Sequence, residues 1–355
     1  MRRALIPQQT SPAAPSAGSV IFDFRGETMG TSWTVKLAAM PVTNSNWQHE
    51  LQRGIQRELD LVVAQMSHWQ SDSDLGRFNR ADAGSWQTLP DAFFEVISFG
   101  LTVAKISDGA YDPTAGALVN LWGFGPCHRY DEPNFHPPHS DSVEAARTQS
   151  GWKKLAIDLD NRKIHQPGNL LLDLSAIAKG YAVDRVAHYL ERCGVLHYLV
   201  EVGGELRGAG IKPDQLPWWV ALEQPTTDGT VDYMPPAIAQ TIVALHGLSI
   251  ATSGDYRRFY RINDSSISQT QGSQTRVSHT IDPRSGYPIR NNIASVTVLH
   301  SSCMAADAFS TALTVLGVDD GMIFAEANHI AARFLVRDNA NFSERTSSAF
   351  QAMLQ

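Results

Sequence analysis

The spacing of hydrophobic positions divides the chain into helices and strands. Apolar residues recur every three or four positions in four segments, which predicts helices at residues 47–66, 92–107, 182–192 and 319–328. Short runs rich in β-branched and aromatic residues predict strands at residues 21–24, 33–38, 218–223, 241–245, 295–299 and 332–336. Helices and strands occur in mixed order, so we predict an α+β fold rather than a regular parallel sheet.

Residues 305–317 (AADAFSTALTVLG) form an apolar segment that contains two oxygen-bearing side chains. Asp307 and Thr311 lie four positions apart and therefore share one face of a predicted buried helix. A buried carboxylate needs a partner, and a hard cation bound by oxygen ligands is one candidate. The alternative is a helix first turn, where Asp favours the helix dipole and Thr bonds to a backbone carbonyl.

Residues 170–185 (LLLDLSAIAKGYAVDR) combine an apolar run with a helical pattern. The run ending at Asp173 predicts a strand, and Ser175 is predicted to begin a helix that continues through Leu190. Such junctions direct free backbone groups at one point and readily bind anions. Lys179 is unfavourable near a helix N-terminus, so either a phosphate or carboxylate partner or a solvated surface position would explain it.

Three glycine-containing segments carry further polar groups. Residues 200–210 lack the spacing of a dinucleotide-binding loop and predict two strands joined by a tight turn at Gly203 and Gly204. Residues 250–256 and 278–288 are predicted turns, and the turn itself explains Asp282 by local backbone bonding. The turn does not explain His279.

Eight segments in a fixed order resemble those of the ApbE-type flavin transferase family, and the resemblance extends over residues 26–317. The segments are residues 26–31 (GETMGT), 66–79 (MSHWQSDSDLGRFN), 108–116 with 121–125 (DGAYDPTAG and LWGFG), 173–184 (DLSAIAKGYAVD), 203–205 (GGE), 252–255 (TSGD), 278–286 (SHTIDPRSG) and 306–312 (ADAFSTA).

The resemblance implies a mixed α/β fold of two T-fold-like lobes, with a site for FAD and a metal ion between them. It also implies that FAD is split at its pyrophosphate, that FMN is esterified to a Thr or Ser hydroxyl of an acceptor redox flavoprotein, and that AMP is released. Catalysis of this kind depends on positioning and charge stabilisation. By resemblance, Mg²⁺ is bound by the side chains of Asp307 and Thr311 and by the carbonyl group of Ala176.

The resemblance also assigns FAD contacts to eight residues: Met29, Trp69, Ala110, Tyr111, Asp112, Asp173, Lys179 and Ile281. His279 is the candidate general base, because imidazole accepts a proton readily near neutral pH. Asp255 or Asp282 is the competing base, and a purely structural His279 is the other alternative. Glu205 is either a site residue or a turn residue.

Composition sets the context for these predictions. The chain has 355 residues, 43% of them hydrophobic, which is enough for a large core. We predict a disordered leader at residues 1–19 and a single domain at residues 20–355. A net charge of −7 argues against a nucleic-acid partner. No apolar run is expected to be as long as a membrane span.

The N-terminus and the cysteines bear on location. The first residues carry two arginines but no apolar core of a signal peptide and no lipid-attachment cysteine, so the sequence as written predicts a cytoplasmic protein. A truncated or misassigned N-terminus would instead allow the periplasmic side of the inner membrane. Three widely spaced cysteines, Cys127, Cys193 and Cys303, favour reduced thiols over disulfides.

Two polar stretches interrupt the pattern. Residues 127–150 contain His128, His136 and His139, but their spacing and the nearby prolines favour an exposed loop over a zinc site. Residues 263–274 predict a hairpin tip close to the point where an acceptor protein would enter. Two other activities remain open: a hydrolase that splits FAD into FMN and AMP, and a protein that binds FAD without turnover.

Overall fold

The structure is a computed structural model, and it describes residues 2–5, 13–41, 46–224, 240–256, 258–263, 274–338 and 341–354. The helices in these ranges are α1 (Asn46–Met66), α2 (Asp74–Asn79), α3 (Asp91–Ile106), α4 (Gly116–Leu121), α5 (Ser140–Gln149), α6 (Ala178–Arg192), α7 (Cys303–Ala327) and α8 (Ser348–Gln351). The strands are β1 (Arg2–Leu5), β2 (Val20–Thr28), β3 (Thr31–Ala39), β4 (Trp86–Thr88), β5 (Ile157–Asp158), β6 (Lys163–His165), β7 (Tyr198–Val202), β8 (Glu205–Ala209), β9 (Trp218–Ala221), β10 (Gln240–Leu245), β11 (Leu248–Gly254), β12 (Phe259–Asn263), β13 (Gln274–Ser278), β14 (Ile281–Asp282), β15 (Tyr287–Pro288), β16 (Ile293–His300), β17 (Ala331–Asp338) and β18 (Asn341–Thr346).

An eight-stranded sheet organises the fold, with strand order β18-β17-β16-β11-β8-β7-β3-β2. Every neighbouring pair in this sheet is antiparallel. Helices α6 and α7 pack against each other and against the sheet, and α1 packs on α6. This mixed architecture confirms the predicted α+β class.

The positions of the strands and helices follow the predicted pattern in most of the described chain. All six predicted strands and all four predicted helices are present, three of the helices with ends shifted by a few residues and the fourth, at residues 319–328, as the last part of α7. The predicted turn at Gly203 and Gly204 joins β7 to β8, and both glycines have positive φ angles of 59° and 104°. Residues 2–5, which fall in the predicted leader, form β1 beside β10.

The prediction of a strand that ends at Asp173 is wrong, because the segment forms only one isolated β-bridge, between Leu171 and Ala115. Side chains replace a neighbouring strand as its hydrogen-bond partners. The Asn79 amide bonds to both the N–H and the carbonyl of Leu172, and Gln166 does the same for Leu170. These contacts come from residues distant in sequence or outside the apolar pattern, so periodicity does not predict them.

The predicted helix start at Ser175 is also wrong, because residues 175–177 form a turn and α6 begins at Ala178. The Asp173 carboxylate accepts the N–H of Ser175 at 2.7 Å. This local hydrogen bond stabilises a non-helical turn at the position where the sequence predicts the first turn of the helix.

Helix α7 joins two segments that the sequence separates. Gly317 has a non-helical backbone (φ 84°, ψ −176°), so the helix is kinked between the segment with Asp307 and the predicted helix at 319–328. Contrary to expectation, α7 is long and apolar enough to cross a membrane by length and composition, with a mean hydropathy of 1.3. Half of the 18-residue apolar window within α7 is buried inside the protein, Leu313 among its buried residues, as in a core helix.

The two polar stretches differ from their predictions in detail. Residues 140–149 of the predicted loop form α5. No group of three or more His, Cys, Asp or Glu side chains suited to a metal occurs in the part of the chain that the structure describes. Strands β12 and β13 pair with each other, and residues 264–273 of the tip predicted at 263–274 lie outside the described residues. Cys127, Cys193 and Cys303 are free thiols.

Candidate active site

Asp307 lies where α6 and α7 cross near their N-terminal ends. Its side chain is buried, and Oδ2 accepts the N–H of Gly180 at 3.0 Å. A β-carbon at Gly180 would stand 2.3 Å from the carbonyl oxygen of Cys303. Only glycine allows this approach, so the crossing itself brings the Asp307 carboxylate to the start of α6.

The carbonyl group of Ala176 is left available by the same hydrogen bond. In a regular helix the N–H of Gly180 would bond to the carbonyl four residues earlier, which is that of Ala176. Here Asp307 takes this N–H, and among the described residues no hydrogen bond ends on the Ala176 carbonyl oxygen. A carbonyl group without a described hydrogen-bond partner therefore lies in the turn that leads into α6, four residues before the N–H that binds the buried Asp307 carboxylate.

Thr311 belongs to a chain of hydroxyl groups that orients its oxygen. Ser310 Oγ donates to the Asp307 backbone carbonyl at 2.9 Å, so it accepts from Ser253 Oγ, 2.9 Å away. Ser253 has one proton, so at 3.0 Å it must accept from Thr311. Both lone pairs of Thr311 Oγ1 are thus available to a ligand. Sequence reasoning missed Ser253, which lies on the neighbouring strand β11.

These oxygen atoms fit a hard cation. Asp307 Oδ1 accepts no hydrogen bond from the described residues, and the Ala176 carbonyl and Thr311 hydroxyl add two neutral oxygen donors. One carboxylate with neutral oxygens is typical of Mg²⁺ sites, where waters and substrate phosphates complete the coordination. The donor set is unsuited to zinc, which prefers nitrogen and sulfur ligands.

Lys179 and Glu205 form an ion pair next to Asp307, in which Glu205 is buried and Lys179 is half-buried. Lys179 Nζ bonds to Glu205 Oε1, and the Glu205 side chain is only 4% exposed. Burial tends to lower the pKa of Lys179, but the charges of Asp307 and Glu205 outweigh it and raise the pKa overall. Burial raises the pKa of Glu205, and the Lys179 ammonium opposes that rise. Lys179 thus has the carboxylate partner that was one explanation of its helix position, and Glu205 is part of the site.

Met29 occupies a strained position in the β2–β3 hairpin. Met29 and Gly30 both have positive φ angles, 51° and 70°, between the paired residues Thr28 and Thr31. These angles are those of a type I′ turn, which disfavours a residue with a side chain at the Met29 position. The side chain is half-buried against the main core.

Trp69 is the most exposed of the predicted FAD contacts. Its side chain is 48% exposed, the His68 ring lies 5.3 Å away, and the Arg129 guanidinium lies 5.8 Å from the ring centroid. An exposed indole face next to a cation can stack on a planar ligand.

Ala110 and Tyr111 are buried, and the Tyr111 phenol interacts electrostatically with several carboxylates. Burial raises the pKa of the Tyr111 phenol, and nearby carboxylates raise it further. Those carboxylates belong to Asp307, Asp173 and Asp112. The structure therefore brings together residues from three separate segments of the sequence. No described group bonds to the Tyr111 hydroxyl.

Asp112 and Asp173 differ in what their oxygens contact. Both Asp112 oxygens bind within the protein: Oδ1 accepts from Thr114 N (2.8 Å) and Oγ1 (2.6 Å), and Oδ2 accepts from Trp152 N (2.9 Å). Asp173 uses only Oδ1, which accepts from Ser175 N and lies 3.7 Å from His68 Nδ1. Asp173 therefore keeps one oxygen for a ligand, whereas Asp112 braces the loop.

His279 is fixed by the backbone of Arg258. The Arg258 carbonyl accepts the His279 N–H at 3.3 Å and lies 3.0 Å from Nδ1. A carbonyl only accepts, so Nδ1 must carry a proton, and Nε2 of the neutral ring is left as an acceptor. Burial and the charge of Arg258 lower the pKa of His279 to about 4. The ring is therefore neutral well below the near-neutral range expected from the sequence.

The competing bases are engaged elsewhere. Both oxygens of Asp255 accept from the Arg337 guanidinium, at 2.9 and 2.6 Å. Asp282 forms a two-point pair with Arg284 within its turn, at 2.9 and 3.0 Å. Ile281 is buried in a small apolar cluster next to this turn. Of the three candidates, His279 alone keeps an acceptor atom without a charged partner among the described residues.

A separate cavity of about 480 Å³ lies between β2 and α1 and contains none of these residues. Its lining is Arg25, Gly26, His49, Gln52, Arg53 and Gln56. All of its lining residues are exposed or half-buried, so we assign the chemistry to the α6–α7 crossing, where buried charges lie close together.

Comparisons with known proteins extend over this whole region. A family model described as the ApbE family matches residues 29–334. A relative from Vibrio cholerae named FAD:protein FMN transferase is 38% identical over 330 residues, covering 93% of this chain and 91% of the relative. A relative of the same name from Haemophilus influenzae is 34% identical over 352 residues, covering 97% and 95%. The solved structure of the flavin transferase ApbE from Vibrio cholerae has a TM-score of 0.81 at 36% identity, covering 94% of this chain and 99% of that chain.

Proposed function

Because the chain belongs to the ApbE family, we propose that it transfers the FMN half of FAD to a hydroxyl group of an acceptor protein and releases AMP. The observation that supports this proposal is the α6–α7 crossing, where the Gly180 N–H binds the Asp307 carboxylate, and Ser253 binds the hydroxyl of Thr311 one helical turn further along α7. The acceptor is a redox flavoprotein subunit with a Thr or Ser at the modified position.

The metal ion in this proposal is Mg²⁺, held by Asp307 Oδ1, the Ala176 carbonyl and Thr311 Oγ1. When bound, it would neutralise charge on the FAD pyrophosphate. The protein contributes a fixed set of oxygens, because the Gly180 N–H holds the Asp307 carboxylate and Ser253 orients the Thr311 hydroxyl. Lys179 adds a second positive charge that Glu205 holds in place.

FAD would lie against residues with free surface or free acceptors. Trp69 offers an exposed indole face, and Asp173 has an oxygen without a described partner. Met29, Ala110, Tyr111 and Ile281 would supply apolar or aromatic contacts. Asp112 would act indirectly, by holding the loop that carries Tyr111.

His279 would remove the proton from the incoming hydroxyl group. Its Nε2 accepts that proton while Nδ1–H continues to donate to the Arg258 carbonyl. The hydroxyl oxygen forms a bond to the FMN phosphorus, and the bond from that phosphorus to the bridging pyrophosphate oxygen breaks. AMP leaves with the bridging oxygen, and the proton remains on His279 until it passes to solvent.

The test is mass spectrometry of a candidate acceptor domain incubated with the protein, FAD and Mg²⁺, with EDTA and Asp307→Ala as controls. The expected result is a metal-dependent gain of one FMN on a single Thr or Ser of the acceptor, with AMP released in equal amount. FAD converted to free FMN and AMP with every acceptor unmodified would indicate the hydrolase instead. FAD bound and unchanged would indicate a binding protein.

A further inference from the structure

Asp184 joins the two helices that carry the proposed metal ligands. It lies on α6, and its side chain is buried. Oδ1 accepts the N–H of Cys303 at 3.0 Å. Oδ2 accepts the N–H of Met304 at 3.0 Å and the hydroxyl of Ser302 at 2.8 Å. One carboxylate therefore holds the start of α7 at three points.

These contacts complete the N-terminal cap of α7. The first N–H groups of a helix have no partner within the helix. Asp184 satisfies those of Cys303 and Met304, and Ser302 accepts the next one, from Ala305, at 3.3 Å. A carboxylate at a helix N-terminus also interacts favourably with the helix dipole.

The cap lies one helical turn from the metal ligand on both helices. Gly180 and Asp184 are four residues apart on α6, and Cys303 and Asp307 are four residues apart on α7. Each pair therefore shares one face of its helix. Gly180 contacts Asp307, and Asp184 contacts Cys303, so the two contacts together fix how α7 sits on α6.

A cation from the sheet completes the arrangement. Arg207 on β8 donates to Asp184 Oδ1 at 2.7 Å. Glu205, two residues earlier on the same strand, holds Lys179. Strand β8 thus carries both Arg207, which binds the capping residue Asp184, and Glu205, which binds Lys179 in the site. The positions of the cap and the site are therefore linked through this strand.

We propose that Asp184 is a positioning residue for the metal site: by capping α7 from α6, it sets where the Asp307 carboxylate meets the Ala176 carbonyl. This inference rests on the proposed function, since it concerns the metal ion of that reaction. Without the cap, the first turn of α7 would be free to fray, and Asp307 lies within the next turn.

The test is the affinity for Mn²⁺, measured by electron paramagnetic resonance on the full chain with FAD and without acceptor. Asp184→Asn places an amide NH₂ against N–H donors of α7. Ser302→Ala removes one arm of the cap and leaves the carboxylate, so it serves if Asp184→Asn does not fold. We expect Asp184→Asn to raise the Kd for Mn²⁺ by about 10- to 100-fold, as for other groups that orient a ligand, and Ser302→Ala to raise it less.

Ser347→Ala is the matched control, because Ser347 caps α8 in the same way. Its Oγ accepts from Phe350 N at 3.3 Å and Ala332 N at 2.9 Å, and it touches neither α6 nor α7 by a described hydrogen bond. Its affinity for Mn²⁺ should equal that of the wild type, although its stability falls. Thermal unfolding of each variant without metal measures that loss.

Three results would overturn the proposal. Asp184→Asn and Ser302→Ala could be less stable yet bind Mn²⁺ as the wild type does, which would make the cap purely structural. Ser347→Ala could weaken Mn²⁺ binding equally, which would trace the effect to general destabilisation. A wild-type chain that binds no Mn²⁺ would remove the metal site itself, and this failure is distinguishable because it needs no variant.

Discussion

The N–H of Gly180 donates to the Asp307 carboxylate at 3.0 Å, and this bond links two segments 127 residues apart. It places a buried charge at the start of α6, diverts the N–H group that would otherwise close a regular helical turn, and leaves the Ala176 carbonyl free. Two of the three metal ligands that we propose, the Asp307 carboxylate and the Ala176 carbonyl, depend on this one bond.

Gly180→Ala is expected to force α6 and α7 apart, because the new β-carbon would lie 2.3 Å from the Cys303 carbonyl oxygen. Overpacking of this kind lowers the free energy of unfolding by about 1–3 kcal/mol. The affinity for Mn²⁺ should fall as well, since Asp307 would lose its position. Urea unfolding and Mn²⁺ titration measure the two effects.

Gly100→Ala is the matched control for this change. Gly100 lies inside α3, where a β-carbon would meet nothing closer than 3.5 Å. Alanine should therefore stabilise the helix by about 0.5–1 kcal/mol. A Gly180→Ala variant as stable as the wild type would contradict the close crossing of α6 and α7.

Asp112 and Asp173 should separate stability from FAD binding. Asp112→Ala leaves three donors without their acceptor, so we expect a loss of about 1–3 kcal/mol in the free energy of unfolding. Asp173→Asn keeps an oxygen for Ser175 N but removes a charged acceptor, so we expect the Kd for FAD to rise by about tenfold.

Isothermal titration with FAD measures the Kd of each variant, and urea unfolding measures its free energy of unfolding. If Asp112→Ala kept full stability and lost FAD affinity, Asp112 would be the ligand contact and the bracing role would be incorrect.

Trp69→Ala should weaken FAD binding, since the exposed indole face is the stacking surface that we propose. Loss of one aromatic stack is worth about 1–3 kcal/mol, which corresponds to a Kd about 5- to 150-fold higher. Trp86→Ala is the control, because Trp86 is 50% exposed but lies on the separate β4-β6-β5 sheet. Equal losses from both variants, measured by flavin fluorescence, would count against a specific stack.

His279→Asn should reduce kcat by about 10²- to 10⁴-fold and leave the Kd for FAD unchanged, as expected for loss of a general base. Burial lowers the pKa of His279 to about 4, so the ring is neutral and able to accept a proton at neutral pH. The wild-type kcat/KM should therefore not change through titration of His279 near neutral pH, and should fall as the pH drops towards about 4. An inflection near the ordinary histidine value of about 6.5, absent in His279→Asn, would contradict this environment.

The sequence predicted the sheet well because alternating apolar positions and β-branched residues are typical of strands. Residues 33–38 lie in a strand whose buried positions are mostly on one face, and residues 295–299 lie in a strand that is buried on both faces. The segment before Asp173 failed for the opposite reason. Its apolar run is buried, but its backbone bonds to the side chains of Asn79 and Gln166, which no local pattern reveals.

The site residues show the same difference between local sequence patterns, which can be predicted, and contacts across the fold, which cannot. Asp307 and Thr311 could be found from their spacing on one apolar helix. Ser253 and Asp184 act through contacts across the fold, so their roles needed the structure. His279 was found because its turn left it unexplained, yet its lowered pKa depends on burial and on Arg258, which the sequence does not place beside it.

The most direct measurement is the anomalous diffraction of Mn²⁺ in crystals of the protein with FAD. The α6–α7 crossing predicts a single strong peak at coordinating distance, about 2.0–2.3 Å, from Asp307 Oδ1, the Ala176 carbonyl and Thr311 Oγ1. A peak bound to other residues, with these three oxygens uncoordinated, would contradict the assignment of the reaction to this crossing.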